Sequence, residues 1–198
     1  MLRLTVDGNQ LSVLPESLGM LGCLTSLYAN DNQLVELPAA LGELPRLREL
    51  RLSDNQLSPD ALCLLARLPS LSVLWLARNG LSEVPGPLCA LRALTELDLD
   101  ANAISTLPAD LLRSSTLTTI SVDHNPLEFP PADVVARGLD AMRGWLRQRV
   151  EPAIPAPTPA FQPQYAHEPA GSVHTPIAQS PLSDAEGWDG SFVFPASR

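Results

Sequence analysis

Asparagine recurs along this chain at Asn9, Asn32, Asn55, Asn79, Asn102 and Asn125, at intervals of 23, 23, 24, 23 and 23 residues. Each copy sits in one frame, LxxLxLxxNxL; LTSLYANDNQL from Leu24 and LTELDLDANAI from Leu94 are two instances. A period of this length marks a solenoid, because one such unit cannot bury its own apolar face and must stack on copies of itself. No other feature of the chain narrows the choice of fold so far.

The frame assigns a place to each residue of a copy. The copies begin at Met1, Leu24, Leu47, Leu71, Leu94 and Leu117, and frame positions 1, 4, 6 and 11 are apolar in all of them, most weakly at Met1 and Ala29. Alternation around positions 3 to 7 predicts a strand with one buried face, so the stack should form a parallel sheet with strands about 4.8 Å apart. The Asn at position 9 falls where the chain turns off the strand. Its amide both donates and accepts, so the six should line up as a buried ladder satisfying backbone groups that the turn exposes. The frame resembles the leucine-rich repeat. That resemblance implies an α/β solenoid with a curved parallel β-sheet on its concave face.

The return path mostly reads LPxxLGxL, as in Leu14-Pro15, Leu18-Gly19 and Leu21, and again in Leu37-Pro38, Leu41-Gly42 and Leu44. Proline there blocks a long helix and predicts short turns or 3-10 pieces on the convex side. Two copies depart from it. In the third, SPDALCLLARL follows Leu57; Ser58 as cap, Pro59 at the first turn and Asp60 near the N-terminus predict one true α-helix. In the fifth, Ser114 stands where the other copies carry Leu, which predicts weaker packing.

Three segments follow. Residues 1–129 hold the six repeats. Residues 130–150 read as a C-terminal capping helix: Pro130-Pro131 ends the repeat, and Val134, Val135, Leu139, Met142 and Leu146 share a helical face, with Trp145 beside them. Residues 151–198 contain nine prolines and no periodicity, and read as a disordered Pro-rich tail. The other end shows no comparable cap, so Leu4 and Val6 are expected to form an open apolar edge strand. Such an edge points either to weak self-association through that strand or to a chain lacking N-terminal repeats.

Charge and composition remove several functions. The net charge is −9, which argues against nucleic acid and anionic membrane as partners. All 13 basic residues are Arg; without Lys there is no P-loop, kinase-type ATP site or Schiff base. Cys23, Cys63 and Cys89 have no zinc-ligand spacing and fit free thiols in a reducing compartment. No signal-peptide pattern, membrane-length apolar run or Asn-x-Ser/Thr acceptor is present, so the expected location is cytoplasmic.

The LPxxLGxL return path, with the closing NPL…PP…V…G…A…WL of residues 125–149, resembles the intracellular Ras-group leucine-rich repeat proteins, among them plant Ras-group-related members and Ras-pathway scaffolds. The resemblance covers residues 1–149. It implies a non-enzymatic scaffold that binds a signalling partner through its concave face.

Frame position 5 points to the middle of that face, and down the stack it reads Thr5, Tyr28, Arg51, Trp75, Asp98, Ser121. Tyr28, Arg51 and Trp75 should therefore form one patch of residue types that dominate interface hot spots. A cation–π stack of Arg51 between the two rings is the plain structural alternative. Arg78, Asp98, Asp100 and Asp123 flank the patch. Residues 1–136 carry 16 Asp/Glu against 8 Arg, so a basic protein or peptide is the expected partner. Two further readings stand beside this one: the regulatory fragment of a larger enzyme (kinase, phosphatase or GTPase-linked), and a self-assembling module pairing through its first repeat.

Ser121, His124, Asp98, Asp100 and Asp123 bring triad-like residue types together, but nothing orients an imidazole or supplies an oxyanion hole. No catalytic residue, metal site or cofactor is expected. In the tail, Thr158, Thr175 and Ser180 precede proline and Ser183 has Glu186 at +3, all matching phosphorylation sites. Arg149 to Pro155 fits an RxxPxxP ligand, and GWDGSFVF is apolar enough to dock on a partner or on the first repeat.

Overall fold

The computed structural model describes residues 2–150. Six strands form one parallel sheet in sequence order: β1 (Leu2–Thr5), β2 (Leu24–Tyr28), β3 (Glu49–Arg51), β4 (Val73–Trp75), β5 (Glu96–Asp98) and β6 (Thr119–Ser121). The solenoid expected from the asparagine period is therefore present. Register is carried by the frame, since Leu4, Leu27, Leu50, Leu74, Leu97 and Ile120 stand side by side. Of these, the four central leucines are fully buried. They back onto Leu41, Leu62 and Leu88 from the return path, so one continuous leucine core runs the length of the stack.

The convex side is built from 3-10 segments at Glu16–Met20, Ala39–Glu43, Asp60–Arg67 and Gly86–Ala90. They lie close together. A Cβ on Gly19 would sit 2.6 Å from the Cβ of Ala40, which is why the return path carries glycine after its leucine. Glu16 adds a link between repeats: its two carboxylate oxygens accept the Ala39 and Ala40 N–H groups at 3.1 and 3.0 Å, capping the next 3-10 segment.

The third repeat corrects the sequence expectation. Asp60–Arg67 is 3-10, not α-helical, although Ser58 Oγ does accept the Ala61 N–H at 3.2 Å. Its inward residues are Leu62, Leu65 and Leu68, all at most 2% exposed. A spacing of three suits the three-residue turn of a 3-10 helix, whose side chains at i and i+3 eclipse. The α-helix of the convex side belongs instead to the fifth repeat, as α1 (Ala109–Arg113), with Leu111 and Leu112 buried.

The closing segment is two helices rather than one, α2 (Ala132–Val135) and α3 (Leu139–Val150), divided at Gly138 with φ of 89°. That left-handed conformation suits glycine and turns the chain. Val134, Met142 and Leu146 are buried against the stack, while Val135 and Leu139 are only partly covered. Trp145 meets Phe129 edge-on, with centroids 5.0 Å apart. Arg149 lies within α3 and stacks on Trp145 at 4.4 Å, so the Arg149-to-Pro155 motif begins inside a helix. No helix among the described residues is long and apolar enough to cross a membrane.

Candidate partner-binding face

The turn after each strand sets the edge of the concave face. Asn55 represents the interior of the ladder: its amide donates to the carbonyls of Ala29, Leu52 and Ser53 at 2.9, 3.0 and 3.2 Å, and its oxygen accepts the Leu34 N–H at 3.0 Å. Asn32, Asn79 and Asn102 are buried in the same way. The ladder is less uniform than its sequence. Asn125 is half-buried, and Asn9 is exposed, its side chain bonding only to Val6 and Asp7 of its own turn. A terminal repeat has a neighbour on one side only.

The residue before each asparagine is left-handed, a feature that sequence reasoning missed. Gly8, Asp31, Asp54, Arg78, Ala101 and His124 have φ between 52° and 66°. Gly8, Asp31 and Asp54 at this position are the available sequence signal, since Gly and Asp tolerate that region best. The conformation lets backbone hydrogen bonds continue past the strand, as from Asp31 N–H to Ser53 and from Ala101 N–H to Asp123.

On the face itself, register places Thr5, Tyr28, Arg51, Trp75, Asp98 and Ser121 in adjacent strands. Arg51 is sandwiched, its guanidinium 4.5 Å from the Tyr28 ring and 3.8 Å from the Trp75 ring. Arg3 covers the other side of Tyr28 at 4.9 Å. Cation and ring thus alternate over four strands.

Glutamates hold the polar tips of both rings. Glu49 accepts the Tyr28 hydroxyl at 2.6 Å on one oxygen and Arg51 Nε at 2.8 Å on the other; Glu96 accepts Trp75 Nε1 at 2.8 Å. Each glutamate follows its aromatic by 21 residues, so strand order alone brings the pair together. The sequence reading passed over Arg3 and Glu49. Partial burial works against ionisation of Glu49, but the hydrogen bonds from Tyr28 and Arg51 outweigh it and hold its carboxyl below the usual range. The same bond to Glu49 raises the Tyr28 hydroxyl, which stays a donor.

Arg78 leaves the centre of the face to fork Asp54, with Nη2 2.7 Å from Oδ2, and this bond lowers the Asp54 carboxyl. Asp98, Asp100 and Asp123 are differently placed. Among the described residues none of the three makes an ion pair. Two of them bond to backbone instead: Asp98 accepts the Asp100 N–H at 3.0 Å and Asp100 accepts the Asp123 N–H at 2.8 Å. Burial raises the Asp100 carboxyl, and the negative charges of Asp98 and Asp123 add to that rise. The face therefore divides into an aromatic half held by glutamates and a half whose three aspartates make no ion pair among the described residues. Among the described residues no group of His, Cys, Asp or Glu is disposed to hold a metal ion. Thr158, Thr175, Ser180, Ser183, Pro155 and the GWDGSFVF segment lie outside the described residues.

Comparison with known proteins agrees with this architecture. The Leucine Rich Repeat family model matches residues 46–65. A leucine-rich repeat protein of Leptospira interrogans is 33% identical with a TM-score of 0.61, over 70% of this chain and 35% of that one. Internalin C2 from Listeria monocytogenes is 29% identical with a TM-score of 0.57, over 63% of this chain and 53% of that one. The leucine-rich repeat ectodomain of the Arabidopsis receptor kinase HAESA, solved in complex with an N-terminally extended IDA peptide hormone, is 34% identical with a TM-score of 0.54, over 63% of this chain and 22% of that one. The chain thus spans between 22% and 53% of the length of these three structures. No curated protein matches it. The fold is the leucine-rich repeat solenoid.

Proposed function

We propose that this chain is a non-enzymatic interaction module that binds a protein or peptide, basic in character, across the concave face of its solenoid. Stacked repeats present an extended open sheet, and such surfaces are what solenoids use for binding. The observation that carries the reading is the Tyr28–Arg51–Trp75 stack beside unpaired Asp98, Asp100 and Asp123. The stack is a rigid aromatic platform whose side chains are already fixed, so little rotamer entropy remains to be lost on binding. The aspartates attract cations, steer the approach of a basic partner and relieve their mutual repulsion when one arrives. The HAESA ectodomain, of the same fold, is described with a peptide bound. A cytoplasmic scaffold of a signalling pathway, of the Ras-group kind, is the setting in which we place the module.

Affinity capture with the intact chain, followed by calorimetric titration of the captured protein, tests this. Trp75→Ala and Arg51→Ala are each expected to weaken that binding at least tenfold, about 1.4 kcal/mol, while the melting temperature falls by only a few degrees. Affinity unchanged in both variants would reduce the stack to a purely structural cation–π device.

A further inference from the structure

The fifth repeat breaks the return path at one residue, and the structure holds a cavity at that place. Leu21, Leu44, Leu68 and Leu91 end the four preceding convex segments, each three residues before the next copy begins; the corresponding residue of the fifth is Ser114. Leu44, Leu68 and Leu91 are buried. Beside Ser114, between α1 and α3, lies an open cavity of about 420 Å³. That is within the range of roughly 300–1,000 Å³ over which small-molecule sites occur.

Its lining is chemically specific. Leu112 and Leu146 lie buried beneath the cavity, and Arg113, Arg143 and Arg147 line it with their aliphatic stems and three guanidinium groups. This concentration of positive charge occurs in a chain of net charge −9. Arg143 is already committed: Nε donates to the Leu112 carbonyl at 3.0 Å, and Nη2 donates to those of Ser114 and Leu117, both at 2.6 Å. Arg113 has only an exposed contact with Asp110 at 3.3 Å, one turn away on its own helix. Arg147 is exposed, and Ser115 adds a hydroxyl to the lining.

We propose that this cavity binds a small organic anion, a carboxylate or phosphate monoester. Its apolar body rests on the aliphatic stems of the lining arginines, above Leu146, and its anionic head is held by Arg113 and Arg147. Two guanidinium forks suit a planar or tetrahedral oxyanion, and an aromatic or short aliphatic body fits the volume. The site is separate from the concave face and does not depend on the function proposed for it.

Calorimetric titration of the full chain with phenyl phosphate and with phenylacetate provides the test and separates the two head groups. At least one of them is expected to bind, with inorganic phosphate and benzyl alcohol at least tenfold weaker. Ser114→Leu restores the residue of the other repeats and should preserve the fold, as judged by circular dichroism, while reducing affinity at least tenfold. Arg147→Glu should do the same, and Trp75→Ala should bind as the parent. The proposal is overturned if neither anion binds at millimolar concentration or if benzyl alcohol binds equally well. Full affinity in Ser114→Leu, or an equal loss in Trp75→Ala, overturns it as well.

Discussion

Asn55 and Asn9 occupy the same frame position and differ in almost everything else. Asn55 is 6% exposed and serves four backbone groups drawn from two repeats; Asn9 is exposed and serves two carbonyls of its own turn. The interior of the solenoid reuses one solution, because each repeat has a neighbour on both sides. The ends need other solutions. At the C-terminal end, where the fifth repeat loses its leucine, Arg143 reaches back 26 to 31 residues to bond three carbonyls around the gap. A repeated residue thus carries an energy set by its neighbours and not by its identity.

The largest expected consequence is at Asn55. Replacing it with alanine orphans buried backbone groups on two adjacent turns and should cost about 3 kcal/mol, whereas the same change at Asn9 should cost under about 0.5 kcal/mol, since water replaces its partners. Urea denaturation followed by circular dichroism measures both, and equal losses would remove the distinction between interior and end. Next is Arg143→Ala. Its side chain is 21% exposed, and losing charge-assisted bonds to three carbonyls should cost about 2 kcal/mol. A loss near zero would show that the closing helix is held by Met142 and Leu146 alone. The smallest effect has the opposite sign. Ala101 is left-handed with φ of 52° and its N–H bonds to Asp123, so Ala101→Gly relieves strain without removing a contact. A gain of about 0.5 kcal/mol, or one to two degrees in melting temperature, is expected after the entropic penalty of glycine is subtracted.

Much of this was legible in the sequence, and the reason lies in the period. Once Asn9 to Asn125 set the phase, the inward leucines, the strand positions and the adjacency of Tyr28, Arg51 and Trp75 followed, because a stack with constant register turns sequence offsets into spatial columns. The Leu62, Leu65 and Leu68 spacing was legible too, but capping residues argued for an α-helix and prevailed wrongly over a three-residue period. What could not be read was lateral. Glu49 and Glu96 anchor aromatics on the preceding strand, and the offset of 21 residues that joins them is not a multiple of the repeat. Whether a glutamate at frame position 3 leans toward a ring or into solvent depends on side-chain direction on the sheet, which periodicity does not encode.

The sequence by itself determined a solenoid of six strands, its buried columns and the residues that line its open face. Those depend only on short-range apolar alternation and a constant repeat length. Tertiary structure decided which members of each column are satisfied. It anchored Tyr28, Arg51 and Trp75 with glutamates, left Asp98, Asp100 and Asp123 without an ion pair among the described residues, buried four asparagines and exposed one, and opened a basic cavity at Ser114. Hydrogen bonds and charges act between side chains that the repeat brings together but does not pair, so their outcome is settled only when the neighbouring repeats are in place.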